Sequence, residues 1–255
     1  TGVLVTNVSL DHCDWLGKDI ETIAAEKAGV MRGGRPAVFG AEEVPQAVID
    51  HAEKIGARLL LCDRDYSLDS VPQPGLRGEY QVGNAAAVIA LLKAAGLGAA
   101  TNDDLVAAVL PTVRVTGRGQ SIRQDGVEWL LDVAHNPAAA AALAGMLAVD
   151  AHPGATHAII GMLDDKDIEG SVQALNEHVD QWIAVTADSH RAVPAEELAR
   201  RIANACGRPC RIADSLPEAM ESVRRDASIN DRILISGSFY LVGPALEQLY
   251  SRPKS

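Results

Sequence analysis

The chain has 255 residues, 23 Lys and Arg against 34 Asp and Glu, a formal net charge of -11, and 47% hydrophobic to 22% charged residues. That is the balance of a folded globular protein with one large or two modest domains, not of a disordered chain. Its acidity argues against nonspecific nucleic-acid binding or attachment to an anionic membrane, both of which need basic surface. No run reaches the roughly 18 apolar residues of a membrane span. Cys13, Cys62, Cys206 and Cys210 are scattered in a chain too large to need disulfide staples, and Cys206 with Cys210 lacks the second ligand pair of a zinc site. The expectation is a monomer in a reducing, cytoplasmic compartment, with small-molecule partners.

Taken along the chain, the pattern predicts a strand at 3–7, already in progress from Thr1, so the chain is expected to be part of a longer protein. A helix follows at 19–31, with Asp19 as its cap, Glu21 in its first turn and Gly33-Gly34 to end it. A strand at 37–39, a helix at 44–55 and a strand at 58–61 give a strand–helix–strand rhythm. The segment 63–78, with Pro72, Pro74, Gly75 and Gly78, is an irregular connection. Helices are expected at 84–95 and 103–109, and a boundary near 111–119. Asp125-Gly126 between 121–123 and 127–132 is a strong hairpin signal. Strands at 156–160, 181–185, 210–212 and 232–236 then alternate with helices at 137–148, 168–178, 194–206, 216–225 and 240–250. This second part reads as a doubly wound α/β sheet, in which ligands gather at the carboxyl ends of the strands.

The polar residues at those strand ends each have a bland reading. The loop Leu10-Asp11-His12-Cys13-Asp14-Trp15-Leu16-Gly17 holds a His that can ligate a divalent ion or take a proton, yet a loop His is more often structural. Lys27, in Ala25-Glu26-Lys27-Ala28-Gly29, either complements a helix dipole from water or becomes reactive in a shielded site. Asp132-Val133-Ala134-His135-Asn136-Pro137 runs from a strand into a helix that Asn136 caps and Pro137 opens. Its Asp and His are ligand groups or incidental polar residues. Arg118, between two glycines, is a phosphate clamp or a linker residue. The acids of Gly161-Met162-Leu163-Asp164-Asp165-Lys166-Asp167 are adequately explained as helix N-terminal charges. Gly237-Ser238-Phe239 either cradles a ligand or permits close packing. No phosphate-loop motif, dinucleotide fingerprint, nucleophile elbow or zincin motif occurs.

In combination and in this order, these segments resemble the bifunctional dihydrofolate synthase/folylpolyglutamate synthases of the Mur ligase superfamily. The resemblance covers essentially the whole chain. It implies the latter part of a Mur-ligase-type central ATPase domain over 1–113 and a complete Rossmann-like, doubly wound glutamate ligase domain over 114–255. The implied reaction is ATP-dependent: a carboxylate of dihydropteroate or of a folate's glutamate tail becomes an acyl phosphate, which the amine of L-glutamate attacks. By that resemblance His12 is a magnesium ligand and Lys27 is carbamylated, as a second ligand and a catalytic group. Asn84, Arg118 and Asp132 are ATP contacts, with Asp132 on the ribose hydroxyls and Arg118 on the phosphates. His135 is assigned to catalysis beside the incoming glutamate.

There are departures from the family pattern. The family's phosphate loop, its Ser magnesium ligand and part of its pterin site are expected upstream of Thr1. Thr116-Gly117-Arg118 stands where the family has Pro-Gly-Arg, and the approach to Asn84, Tyr80-Gln81-Val82-Gly83, is shortened. Two other readings stay open here: a peptidoglycan-precursor Mur ligase, which shares the Asp132–Pro137 type of turn, and a noncatalytic α/β module. The D-W-L-G and G-M-L-x-D-K-D-I blocks favour the folate branch over the first.

Overall fold

The computed structural model describes residues 1–9, 19–69, 71–124, 126–150 and 152–251. The predicted magnesium ligand His12 therefore lies outside the described residues. The chain divides into two compact units, Thr1–Arg114 and Val115–Ser255.

In the first unit, strands β1 (Val3–Val5), β2 (Pro36–Phe39) and β3 (Arg58–Leu60) form a parallel sheet in the order β1-β2-β3. Side chains alternate across a strand, so the apolar run of β2 serves both faces. Ala37 and Phe39 pack with Ala24 and Ala28 of α1 (Ile20–Ala28) and with Val48 and Ala52 of α2 (Gln46–Ile55). Val38, pointing the other way, packs with Ala87 and Ala90 of α3 (Tyr80–Ala94). A short helix α4 (Asp103–Val109) follows, capped by the Asn102 side chain.

Two of the boundaries that differ from expectation have a local cause. Helix α1 stops at Ala28, because the Gly29 amide turns back onto the Glu26 carbonyl at 3.1 Å and Met31 drops into the core. Helix α3 begins at Tyr80 rather than Asn84. Burial of Gln81, Ala85 and Ala86 along it outweighs the roughly 1 kcal/mol that Gly83 costs inside a helix.

The second unit is a six-stranded mixed sheet ordered β4-β5-β9-β6-β7-β8. Strands β4 (Gln120–Gln124) and β5 (Val127–Asp132) form the antiparallel hairpin that Asp125-Gly126 predicts, and Gly126 has φ 80°. The remaining strands, β6 (Thr156–Ile160), β7 (Gln181–Ala184), β8 (Cys210–Ile212) and β9 (Arg232–Ser236), run parallel to β5. Every residue of β5, β6 and β9 is buried, as a sheet covered on both faces requires. On one face Leu130, Ala158 and Leu234 meet α5 (Pro137–Val149), α6 (Ile168–Leu175) and α7 (Ala195–Cys206). On the other, Trp129, Ile159 and Ile233 meet α8 (Leu216–Asp226) and α9 (Phe239–Ser251). This is the doubly wound architecture expected from the alternation of elements. No helix among the described residues is long and apolar enough to cross a membrane.

The amino ends of the same strands carry a buried charged clasp. Arg232 Nε donates to Glu128 Oε2 at 3.0 Å and its Nη2 reaches Asp150 Oδ2 at 3.1 Å. Beside it, His157 Nε2 lies 3.1 Å from Asp231 Oδ2.

Candidate functional site at the strand ends

The register of the second sheet sets Asp132 opposite Ser236, and Ser236 opposite Ile160, so β5, β9 and β6 end at one level. Three of the predicted motifs leave the sheet from that edge: Val133-Ala134-His135, Gly237-Ser238-Phe239 and the segment starting at Gly161. This is the crevice where doubly wound sheets bind ligands.

Asp132 is buried, and both of its oxygens are engaged. Oδ2 accepts from the Gly119 amide at 2.7 Å and Oδ1 from the Ala134 amide at 2.8 Å. Burial raises its carboxyl above the usual range, against the pull of those two amides and of the charges on Arg118 and His135. Gly119 has φ 54°, a left-handed conformation that favours glycine, and this lets the turn bring its amide onto the carboxylate. The same turn is braced by the Val133 amide, which donates to Gly117 O at 2.9 Å.

Arg118 is thereby held at the end of β5 and is not a linker residue. Its guanidinium carbon lies 5.6 Å from the ring centroid of Phe239, the first residue of α9. Among the described residues, no hydrogen bond or ion pair engages that guanidinium. His135 Nδ1 sits 2.8 Å from the Val133 carbonyl. Asn136 caps α5 by accepting from the Ala139 amide at 2.8 Å, as its sequence position predicts. Ser238 is buried, and its Oγ has no hydrogen-bond partner among the described residues.

The acids of the 161–167 segment divide. Asp167 caps α6 through the Gly170 amide at 2.8 Å, as a helix N-terminal charge should. Asp165 does not. It is the counter-ion of the buried Lys166, 3.4 Å away, and of Arg191 at 3.6 Å. The expectation that all these acids serve the helix terminus is corrected on this point, because a buried ammonium requires a nearby carboxylate.

In the first unit, Lys27 is half-buried in the last turn of α1, and its Nζ donates to the Asn7 carbonyl just beyond β1 at 3.2 Å. It turns toward a strand end and does not simply point to water. Asn84 sits in the second turn of α3, where its Nδ2 donates to Gln81 Oε1 at 3.1 Å. Among the described residues, no group of three or more His, Cys, Asp or Glu is placed to hold a metal ion. Phe239, which the sequence offered only as part of the Gly237-Ser238-Phe239 turn, is 59% exposed where it opens α9.

The family described as Mur ligase, glutamate ligase domain, matches residues 117–239, a stretch running from the glycine before Arg118 to Phe239. The dihydrofolate synthase/folylpolyglutamate synthase of Escherichia coli (strain K12) is 34% identical over 273 residues, covering 98% of this chain and 60% of that relative. The chain is similar to the Mur ligase family and, within it, to the dihydrofolate synthase/folylpolyglutamate synthase branch. Two solved structures of this branch are similar. E. coli FolC in complex with DHPP and ADP has a TM-score of 0.88 at 31% identity, covering 98% of this chain and 62% of its own. A bifunctional folylpolyglutamate synthase/dihydrofolate synthase with Mn, AMPPNP and L-glutamate bound has a TM-score of 0.87 at 33% identity, again over 98% of this chain and 62% of its own. The chain thus spans about three-fifths of the length of these relatives.

Proposed function

We propose that this chain is the part of an ATP-dependent acid–amino-acid ligase that contacts the nucleotide phosphates and receives L-glutamate, with dihydropteroate and folate tails as the acids. Residues 1–113 are the latter part of the central ATPase domain and 114–255 the glutamate ligase domain. The observation that carries the reading is the Arg118–Asp132–His135 cluster at the ends of adjacent strands, inside the stretch that matches the glutamate ligase domain.

The residues fit a nucleotide. The Arg118 guanidinium lies over the Phe239 ring with no hydrogen bond or ion pair among the described residues, and it suits phosphate oxygens, which guanidinium forks bind well. Asp132, pinned by two amides, suits the ribose hydroxyls. Asn84 is the third nucleotide contact of this reading. His135, three residues past the end of β5, is the group this reading assigns beside the amine of the incoming glutamate. His12 and a carbamylated Lys27 would hold magnesium. Carbon dioxide would add to the neutral amine of the lysine with release of one proton to solvent, leaving an anionic carbamate oxygen where an ammonium would repel the metal. Magnesium held by these residues would supply positive charge to offset that of the phosphoryl group.

The test is ADP release from ATP that depends on both dihydropteroate and L-glutamate. It is run on this chain and, where the gene encodes more, on the whole gene product. Glutamate-dependent turnover in the whole product supports the reading. Its absence from both, with the proteins folded, overturns it.

A further inference from the structure

We propose that Phe239 is a positioning residue for nucleotide phosphate binding, holding one face of the Arg118 guanidinium so that its N–H edge is presented to an anionic phosphate. This rests on the reading of Arg118 as a phosphate contact and adds the residue that orders it. Three observations carry the inference. The Arg118 guanidinium carbon lies 5.6 Å from the ring centroid, within the range of cation–π attraction. The ring is 59% exposed at the start of α9, while the apolar positions that follow it, Leu241 and Val242, are buried, so the Phe239 ring adds little to the core. No described residue gives the guanidinium a hydrogen bond or ion pair, so the ring is the contact that orients its plane.

The energetic logic is preorganisation. A free arginine side chain loses rotamer freedom when it closes on a phosphate, and stacking on a ring removes part of that loss beforehand. Both ends of the arrangement are anchored: Arg118 by the Gly119–Asp132 hydrogen bond, and Phe239 by a helix whose Leu241 and Val242 are buried in the core. The ring and the guanidinium therefore keep company without a covalent or ionic link.

The experiment follows the Arg118 side-chain Nε–Hε resonance of the 255-residue chain during titration with inorganic pyrophosphate, in wild type, Phe239→Tyr and Phe239→Leu. The tyrosine keeps an aromatic face, and the leucine keeps an apolar side chain without one. In wild type and Phe239→Tyr the Arg118 resonance is ordered before addition and shifts with pyrophosphate. In Phe239→Leu it becomes mobile, and the pyrophosphate Kd rises about two- to fivefold, the scale of an exposed cation–π contact. An unchanged thermal midpoint in all three proteins confirms that an exposed ring was altered and not the fold. If pyrophosphate shifts Arg118 with the same Kd and order in all three, the positioning role of Phe239 is overturned and the phosphate role of Arg118 stands. If pyrophosphate leaves Arg118 unmoved in wild type, the phosphate assignment itself fails, and the inference with it.

Discussion

The amide of Gly119 donates to Oδ2 of Asp132 at 2.7 Å, which ties the turn bearing Arg118 to the last residue of β5. The other Asp132 oxygen takes the Ala134 amide, so one carboxylate organises the chain on both sides of the strand end. Asp132→Ala leaves two buried N–H donors unpaired, and we expect it to lower unfolding stability by about 2 kcal/mol in urea titration. The pH dependence has a definite sign. Burial sets the folded pKa of Asp132 above its ordinary value, so its ionised form is disfavoured by folding. Its contribution is fully present below the ordinary carboxylate range and falls as pH rises through the raised value. The gap between wild type and Asp132→Ala should therefore narrow with rising pH. A gap that widens would refute this account.

Glu128 and Arg232 form a buried pair across adjacent strands, with Nε 3.0 Å from Oε2 and Arg232 only 2% exposed. Removing Arg232 takes the guanidinium from a buried carboxylate, a loss on the scale of 3–5 kcal/mol. Arg232→Met alone should destabilise the second unit on that scale. Glu128→Leu combined with Arg232→Met should recover most of the loss, since an apolar pair of similar volume restores packing without a lone charge. Calorimetry of the single and double variants measures the coupling, and additive losses would show that the pair is not energetically linked.

Asp231 joins three segments at the amino end of the sheet. Its Oδ1 accepts from the Ala155 amide at 2.9 Å, and its Oδ2 from the Ser228 amide at 2.8 Å with His157 Nε2 at 3.1 Å. Burial pulls its carboxyl upward, but these bonds outweigh burial and leave it below the ordinary range. A depressed carboxylate stabilises the fold above its unfolded pKa of about 3.9, and that stability is lost as pH falls through the lower folded value. Asp231→Asn should thus cost about 2 kcal/mol near pH 6. The difference from wild type should close as the pH drops below the carboxylate range. Chemical denaturation across that range checks it, and a constant difference would count against the ionised-carboxylate account.

What the sequence disclosed and what it hid have a common physical cause. Asp19, Asn136 and Asp167 act through amides three residues away, and all three cap the helices their positions predict. The Asp125-Gly126 signal likewise predicts its hairpin from local sequence alone, and β4 and β5 pair as it requires. By contrast, Phe239 meets Arg118 only because β5 and β9 are sheet neighbours, and no local pattern announces that pairing. The start of α3 was hidden for the same reason: burial of Gln81 and Ala85 outvotes the helix-weakening Gly83. Asp165 read as a helix-end charge because its partnership with Arg191 spans two loops.

Gly237 ends β9 with φ 117°, and a Cβ there would lie 2.6 Å from the Gly161 carbonyl oxygen. Both facts forbid a side chain, one through backbone strain and the other through contact with a main-chain atom that cannot step aside. Gly237→Ala should cost about 2–3 kcal/mol. It should also part β9 from β6 at the level of the candidate site. The pair Gly237→Ala and Gly243→Ala separates the causes, because nothing lies within 4 Å of a Cβ at Gly243. Equal thermal shifts for the two variants would show that the close approach at Gly237 is not restrictive.

Lys27 is the remaining residue on which the proposed chemistry turns. Its Nζ reaches the Asn7 carbonyl at the exit of β1, the chain segment that leads toward His12 in sequence. If a carbamate on Lys27 supplies an anionic ligand to magnesium, Lys27→Ala should lower turnover of the active gene product by about a hundredfold or more, the scale of losing one preorganised electrostatic contact. Small carboxylic acids should then restore part of the activity by supplying the missing oxygens. Lys27→Arg should be as poor as the alanine variant, because a guanidinium stays protonated and does not add carbon dioxide. Steady-state rates with and without added acetate or formate distinguish the cases. Full turnover in Lys27→Arg would sink the carbamate role, since it would require only a cation at that position.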